Sequence, residues 1–256
     1  MNNTLLRKFK EHQVSVGTLS HLRSSTVIES LGYVGLDFLM VDEEHTPAGI
    51  DEIAGYLTAS SAAGLPMLVR VNAMERSAVL RVLDAGAAGV IVPGVETVEQ
   101  VQRLVKYAKF KPLGDRGYCM TRDGGWGRAD NYQGGIMDYM ASCNADTMLI
   151  PQCETVSCLA HIEEITAMEG VDGIMVGPFD LSIDMGIPGQ FQDAKFREAL
   201  EKILRACRKN GKLCMIFAGD AAKAKAYMAQ GFDSILLGID VLVLTESYKK
   251  MLDELS

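Results

Sequence analysis

A single closed (β/α)₈ barrel is the fold class this sequence predicts, and three observations carry it. Short apolar runs alternate with longer amphipathic segments along all 256 residues, each run followed by a helical pattern. The runs are continuous rather than alternating in polarity, as parallel strands covered on both faces must be. No GxGxxG follows the first run and no GxxxxGKS/T occurs, which weighs against a nucleotide-binding open sheet.

Taken in order, strands are expected at 14–19, 38–43, 66–71, 89–94, 147–152, 173–177, 213–217 and 233–238. Helical periodicity fills 49–63, 75–85, 97–109, 155–168, 192–210, 220–230 and 241–254. Asp220 can open a helix, and Gly64, Gly86, Gly170, Gly211 and Gly231 follow helix ends as stop residues. The unit at 111–146 is irregular, with Gly114, Gly117, Gly124, Gly125 and Gly127 ahead of a helix near 135–145. Long loops of this kind in compact domains are usually functional. No linker or composition break divides the chain, so residues 1–256 read as one barrel domain.

The net charge, 25 − 33 = −8, argues against a nucleic-acid partner, which needs clustered cations to neutralise phosphates. The one basic cluster, Arg205, Arg208, Lys209 and Lys212, falls at a helix end, where cations complement the helix dipole. The six cysteines form no CxxC pair and no zinc-spaced cluster with histidine, so free thiols in a reducing compartment are expected. The first ten residues lack the apolar core of a signal peptide, and the apolar run 235–244 is interrupted by Asp240. A cytoplasmic protein without a membrane partner follows as the expectation.

In this fold, active sites lie at the C-terminal ends of the strands. Strand two ends in Asp42-Glu43-Glu44-His45, strand three in Arg70, strand five in Gln152-Cys153-Glu154 and strand six in Gly177-Pro178-Phe179-Asp180. Five acids, a histidine, an arginine and an amide are thus expected on one rim. Glu154 and Asp180 end adjacent strands; paired carboxylates repel unless a proton or cation joins them. An octahedral Mg²⁺ or Mn²⁺, completed by waters and substrate oxygens, meets that need. The competing reading makes both residues helix N-caps. The planar fork of Arg70 suits a carboxylate or enolate oxygen, the alternative being a salt bridge to Glu44 or Asp42. His45 is the histidine at a predicted strand end and can exchange a proton near neutral pH, whereas His12, His21 and His161 read as solvated. No lysine ends a predicted strand, so an imine-forming nucleophile is absent, and no GxSxG elbow supports acyl transfer.

The stretches GYVGLDFLMVDEEHTP (32–47), LVRV (68–71), VLDAGAAGVIVPGVET (82–97), PLGDRG (112–117), QCET (152–155) and VDGIMVGPFDLSIDMG (171–186) resemble the HpcH/HpaI family of class II pyruvate aldolases. The resemblance runs from about residue 14 to 245. It implies that Glu154 and Asp180 hold a divalent metal, Mg²⁺ or Mn²⁺ with Co²⁺ as a further candidate. His45 would be the acid/base and Arg70 would stabilise the enolate oxygen. Gln152, Asp180 and the backbone of Gly177, Pro178 and Phe179 would bind the pyruvate part, with Asp42 and Glu44 in support.

The resemblance further implies a homohexamer built from trimers, and gives Asp84 the part of an aid to His45. Asp84 ends a helix roughly 15 Å long that runs away from the rim, so it would have to act from a neighbouring subunit. The implied reaction interconverts a 4-hydroxy-2-oxo acid with pyruvate and an aldehyde. A 2-oxo acid decarboxylase or another carbon–carbon lyase using the same enolate is the alternative, and a non-catalytic binding barrel is the rival of another class. The chain departs from the family pattern at Ser20-His21-Leu22-Arg23-Ser24, at Phe179 and in the 118–129 loop, all expected to border the aldehyde half. The ends of strands seven and eight bring no basic residue, so the aldehyde is expected to be unphosphorylated.

Overall fold

Apolar residues on both faces of every run leave one stable arrangement: strands wrapped into a cylinder, with helices outside. The structure, a computed structural model, describes residues 3–255. Its strands are β1 (Ser15–Ser20), β2 (Phe38–Asp42), β3 (Met67–Arg70), β4 (Gly89–Val92), β5 (Met148–Cys153), β6 (Gly173–Val176), β7 (Leu213–Ala218) and β8 (Ser234–Ile239). They pair in chain order, all parallel, and β8 returns to β1 to close the barrel. Every expected strand is present.

The helices are α1 (Thr4–Lys10), α2 (Ser25–Leu31), α3 (Ile50–Ala62), α4 (Arg76–Asp84), α5 (Val98–Ala108), α6 (Ile136–Asp146), α7 (Val156–Ala160), α8 (Ile162–Ala167), α9 (Pro178–Asp184), α10 (Ala194–Lys209), α11 (Ala221–Gln230) and α12 (Asp240–Asp253). Asp220 caps α11, its Oδ1 accepting the Lys223 N–H at 2.7 Å. Gly231 ends that helix at φ +93°, a left-handed turn that a side chain would strain. The stretch 155–168 is two helices rather than one: the His161 N–H reaches back to the Cys158 carbonyl, a tighter turn that breaks the register.

Two apolar layers result. Leu39, Val41, Val69, Val90, Leu149, Ile174 and Ile216 point outward and pack under the helices. Leu19, Phe38, Met40, Leu68, Ile91, Met148, Ile150, Met175, Leu213, Met215 and Leu236 point inward and fill the cylinder. Helix α1, too short to announce itself by periodicity, closes the N-terminal mouth with Leu5, Leu6 and Phe9 packed on the inner layer. Among the described residues no such helix packs on the inner layer at the opposite mouth, at the C-terminal ends of the strands.

Candidate active site

Side chains alternate across a strand, so the inner layer extrapolates to the rim by steps of two. From Leu19 the next inward position is His21; from Met40 it is Asp42; from Leu68 it is Arg70. From Ile150 the steps reach Gln152 and Glu154, from Met175 Gly177, and from Met215 Phe217. The same rule sends Glu43 the other way. It is buried on the helix side, where burial pushes its carboxyl up to about 7 against the opposing charge of Arg81. Four of the five expected acids therefore lie at the rim, and Glu43 does not.

Asp42 is the hub. Arg70 donates to it through two parallel bonds, Nε to Oδ1 and Nη2 to Oδ2, each 2.8 Å. The Glu44 amide donates to Oδ1 at 3.0 Å and the His45 amide to Oδ2 at 3.4 Å. His21 Nε2 lies 3.1 Å from Oδ2, a polar contact bent off the ideal hydrogen-bond line. Burial alone would raise the Asp42 carboxyl. The close approach of His21, the hydrogen bonds and charge of Arg70 and the Glu44 amide outweigh it and hold the group well below the usual carboxylate range. Arg70 Nη1 stands 3.2 Å from Glu44 Oε2, so the salt bridges to Asp42 and Glu44 both form. Of five guanidinium N–H groups, two remain for a substrate oxygen.

Glu154 leaves β5 beside Gln152, which donates to its Oε2, while Oε1 accepts the Gly94 N–H at 2.6 Å. Gly177 faces them across the β5–β6 seam. A Cβ there would lie 2.9 Å from Glu154 Oε2 and 3.1 Å from Gln152 Nε2, so only glycine lets the two strand ends meet. Asp180 stands in the first turn of α9, exposed and without a partner among the described residues.

Glu44 and Arg70 both feel the Glu154 charge, so these ends converge. Burial, with the Glu154 and Asp42 charges, raises the Glu44 carboxyl against the pull of Arg70 and His45. Two buried oxygens here lack a well-formed hydrogen bond: Gln152 Oε1, and Glu44 Oε2, which has only its ionic contacts to Arg70 and His45. An oxygen-only donor set with unsatisfied acceptors fits a hard divalent cation. Among the described residues no cluster of three His, Cys, Asp or Glu side chains could hold one. A cation held by Glu154 and Asp180 would thus need water or substrate oxygens to complete its shell.

The other expected residues separate into groups. His45 reaches the rim, but its side chain is 62% exposed, and among the described residues its one ionic neighbour is Glu44 Oε2 at 3.6 Å. His21, read from sequence as solvated, is 23% exposed and part of the Asp42 hub, a correction that the count by twos along β1 would have supplied. Phe179 is exposed beside Asp180, with its ring 5.1 Å from Phe191 and 6.2 Å from Phe217, so one side of the mouth is aromatic.

Asp84 lies at the far end of α4, where Arg116 Nη2 donates to its Oδ1 at 2.7 Å and also to Asp123 Oδ2 at 2.7 Å. The 118–129 loop packs there too: Arg122 donates to the Ala85 carbonyl, just past α4, and to the Leu57 carbonyl within α3. Within its own chain this loop therefore does not border the aldehyde half of the site, contrary to the sequence expectation. A cavity of about 280 Å³, lined in part by Ser60, Met67, Ala87, Asp123 and Cys143, opens at this same N-terminal end, away from the rim.

A barrel rim with an arginine fork, carboxylates on neighbouring strands and no lysine nucleophile places the protein with the lyases that handle enolates through charge. The chain belongs to the HpcH/HpaI aldolase/citrate lyase family, whose pattern matches residues 17–247. It is 32% identical to the 5-keto-4-deoxy-D-glucarate aldolase of Klebsiella pneumoniae, covering 99% of this chain and 98% of that one. It is 34% identical to the hydroxypyruvate/pyruvate aldolase of Paraburkholderia phytofirmans, over 98% and 97% of the two chains. The crystal structure of an HpcH/HpaI aldolase from Desulfitobacterium hafniense superposes with a TM-score of 0.90 at 31% identity, over 97% and 95%. The protein is a carbon–carbon lyase of the class II aldolase type.

Proposed function

We propose that the protein interconverts a 4-hydroxy-2-oxo acid with pyruvate, or a related 2-oxo acid, and an unphosphorylated aldehyde. Glu154 and Asp180 would hold Mg²⁺ or Mn²⁺, with Co²⁺ as a further candidate. The observation that supports this most strongly is the buried Gln152 Oε1, which accepts no hydrogen bond beside Glu154, with the Glu44 carboxylate held near it by Arg70. A metal bound there would supply positive charge to the carboxylate and keto oxygens of the 2-oxo acid.

The chain's own groups do the rest. The two free N–H groups of Arg70 face the oxygen that becomes negative when the carbon–carbon bond breaks, where preorganised charge contributes most. Gln152 and the backbone of Gly177, Pro178 and Phe179 orient the pyruvate part. Asp42 and Glu44 keep the guanidinium aimed. His45 takes the proton of the aldol hydroxyl, assisted by Asp84 of a neighbouring subunit. The ends of β7 and β8, Phe217-Ala218-Gly219 and Gly238-Ile239-Asp240, bring no cation to the mouth, in keeping with an acceptor that carries no phosphate.

A homohexamer built from trimers suits the surface of α12, whose Leu242, Val243, Leu244, Tyr248 and Met251 are exposed. Among the described residues no helix is long and apolar enough to cross a membrane, and we place the protein in the cytoplasm. The test is a panel of aldehydes incubated with pyruvate and Mg²⁺, Mn²⁺ or Co²⁺. Adducts with unphosphorylated aldehydes are expected. A strong preference for phosphorylated ones would contradict the reading of the mouth, and CO₂ released without aldehyde chemistry would move the reaction to decarboxylation.

A further inference from the structure

We propose that His21 is a catalytic base of this site, moving the proton at C3 of the 2-oxo acid. The inference rests on the aldolase reading above and deepens it.

His21 follows β1 with its backbone fixed from below. Its N–H donates to Asp240 Oδ1 at 2.8 Å, and the flanking Ser20 Oγ and Leu22 N–H donate to Asp240 Oδ2 at 2.6 and 3.3 Å. Asp240 is itself buried, at the first residue of α12. The imidazole is therefore held where the inner face of β1 leads. Its Nε2 is buried against Asp42, while Nδ1 has no partner among the described residues. A carboxylate on one ring nitrogen fixes the tautomer and leaves the other nitrogen free to accept a proton. Asp42, its carboxyl held well below the usual carboxylate range, is the third member that a nucleophile–base–carboxylate arrangement uses to orient its imidazole.

The position matches the chemistry. Arg70 Nη2 and His21 Nε2 contact the same oxygen, Asp42 Oδ2, at 2.8 and 3.1 Å. The guanidinium that faces the enolate oxygen and the His21 ring thus share one carboxylate oxygen, as the oxygen on C2 and the carbon C3 share one carbonyl unit in the substrate. In the synthetic direction Nδ1 takes a C3 proton of pyruvate. The C–H electron pair becomes the C2–C3 double bond, and the carbonyl pair moves onto the oxygen facing Arg70. After cleavage the imidazolium returns its proton to C3 and gives the methyl group of pyruvate.

Deuterium incorporation into the pyruvate methyl group, followed by NMR in D₂O with Mn²⁺ or Mg²⁺, reports this step without any aldehyde. His21→Ala should slow exchange about 100-fold or more, the span of a general base, and free imidazole should restore at least about tenfold of that loss. His21→Gln, which keeps a polar contact to Asp42 but moves no proton, should be as slow as His21→Ala while retaining the wild-type melting temperature. Exchange within about threefold of wild type in either variant would overturn the assignment, as would a slow His21→Ala that imidazole leaves unchanged. A wild-type protein that exchanges no deuterium would instead sink the aldolase reading, and this inference with it.

Discussion

Arg70 grips Asp42 through two parallel bonds of 2.8 Å, and both side chains are buried. The pair sits at register-matched positions of β2 and β3, so the barrel's own hydrogen-bond ladder sets its geometry. Only a planar fork fills both carboxylate oxygens and still presents N–H groups to a substrate. Arg70→Lys should therefore recover little of the activity that Arg70→Ala loses, on the order of 100-fold in kcat for either. Arg70→Ala should also destabilise the fold by about 3–5 kcal/mol, because it strands a buried charge. Turnover near wild type in the lysine variant would reduce Arg70 to a structural ion pair.

Gly177 is the point where β6 passes the Glu154 carboxylate. Gly177→Ala would drive a methyl group to 2.9 Å from Glu154 Oε2, so the carboxylate would have to give up its bonds to Gly94 or Gln152 to retreat. Loss of about tenfold or more in apparent affinity for the divalent cation is expected, with overpacking costing about 1–3 kcal/mol. Titration of Mn²⁺ by calorimetry checks this. An unchanged dissociation constant would remove Glu154 from the metal site.

Glu43 gives the fold a pH dependence of known sign. Burial pushes its carboxyl up to about 7, so the folded chain binds this proton more tightly than the unfolded chain does. Its stability contribution is full below the unfolded glutamate value and is lost as the pH rises through about 7. Glu43→Gln should flatten that loss, leaving the variant more stable than wild type at pH 8.5 by about 2 kcal/mol relative to pH 5.5. Urea melts of both proteins at the two pH values decide the matter, and parallel pH profiles would contradict it.

Asp84 supports His45 only if the oligomer brings it to another subunit's rim, since its own chain holds it on Arg116 at the far end of α4. Co-assembly of His45→Ala chains with Asp84→Asn chains should then exceed the mean activity of the two pure variants. Each Asp84→Asn chain keeps its own His45 and can borrow an intact carboxylate. Mixed oligomers no better than that mean, with mixing verified by mass spectrometry, would assign Asp84 to the Arg116 cluster alone.

The strands were legible because burial on both faces demands continuous apolar runs, and Asp42, Arg70, Gln152 and Glu154 were legible because they terminate those runs. Helices α1, α2 and α9, each of seven residues, were not, since two turns display too little periodicity. His21 was missed for a different reason. Treated as a loop residue it carries no signal, yet the two-residue step from Leu19 puts it in the mouth. Glu43 erred in the opposite sense, being counted at the rim by proximity in sequence when alternation turns it away. Within its own chain the 118–129 loop lies away from the rim, because Arg122 ties it to α3 and to the residue after α4, which sequence alone does not reveal.

The central claim is that this rim forms a pyruvate enolate with the help of a divalent cation, and the most direct measurement is deuterium exchange at the pyruvate methyl group in the wild-type protein. No lysine is available to form an imine with the keto carbon, and the oxygen-only donor set has acceptors to fill. Exchange should be supported by Mg²⁺ or Mn²⁺ and abolished by a chelator. It should return when the cation is restored, and borohydride should trap no pyruvate adduct. Exchange that continues undiminished in excess chelator, or a protein mass raised by a reduced pyruvate adduct, would contradict the account.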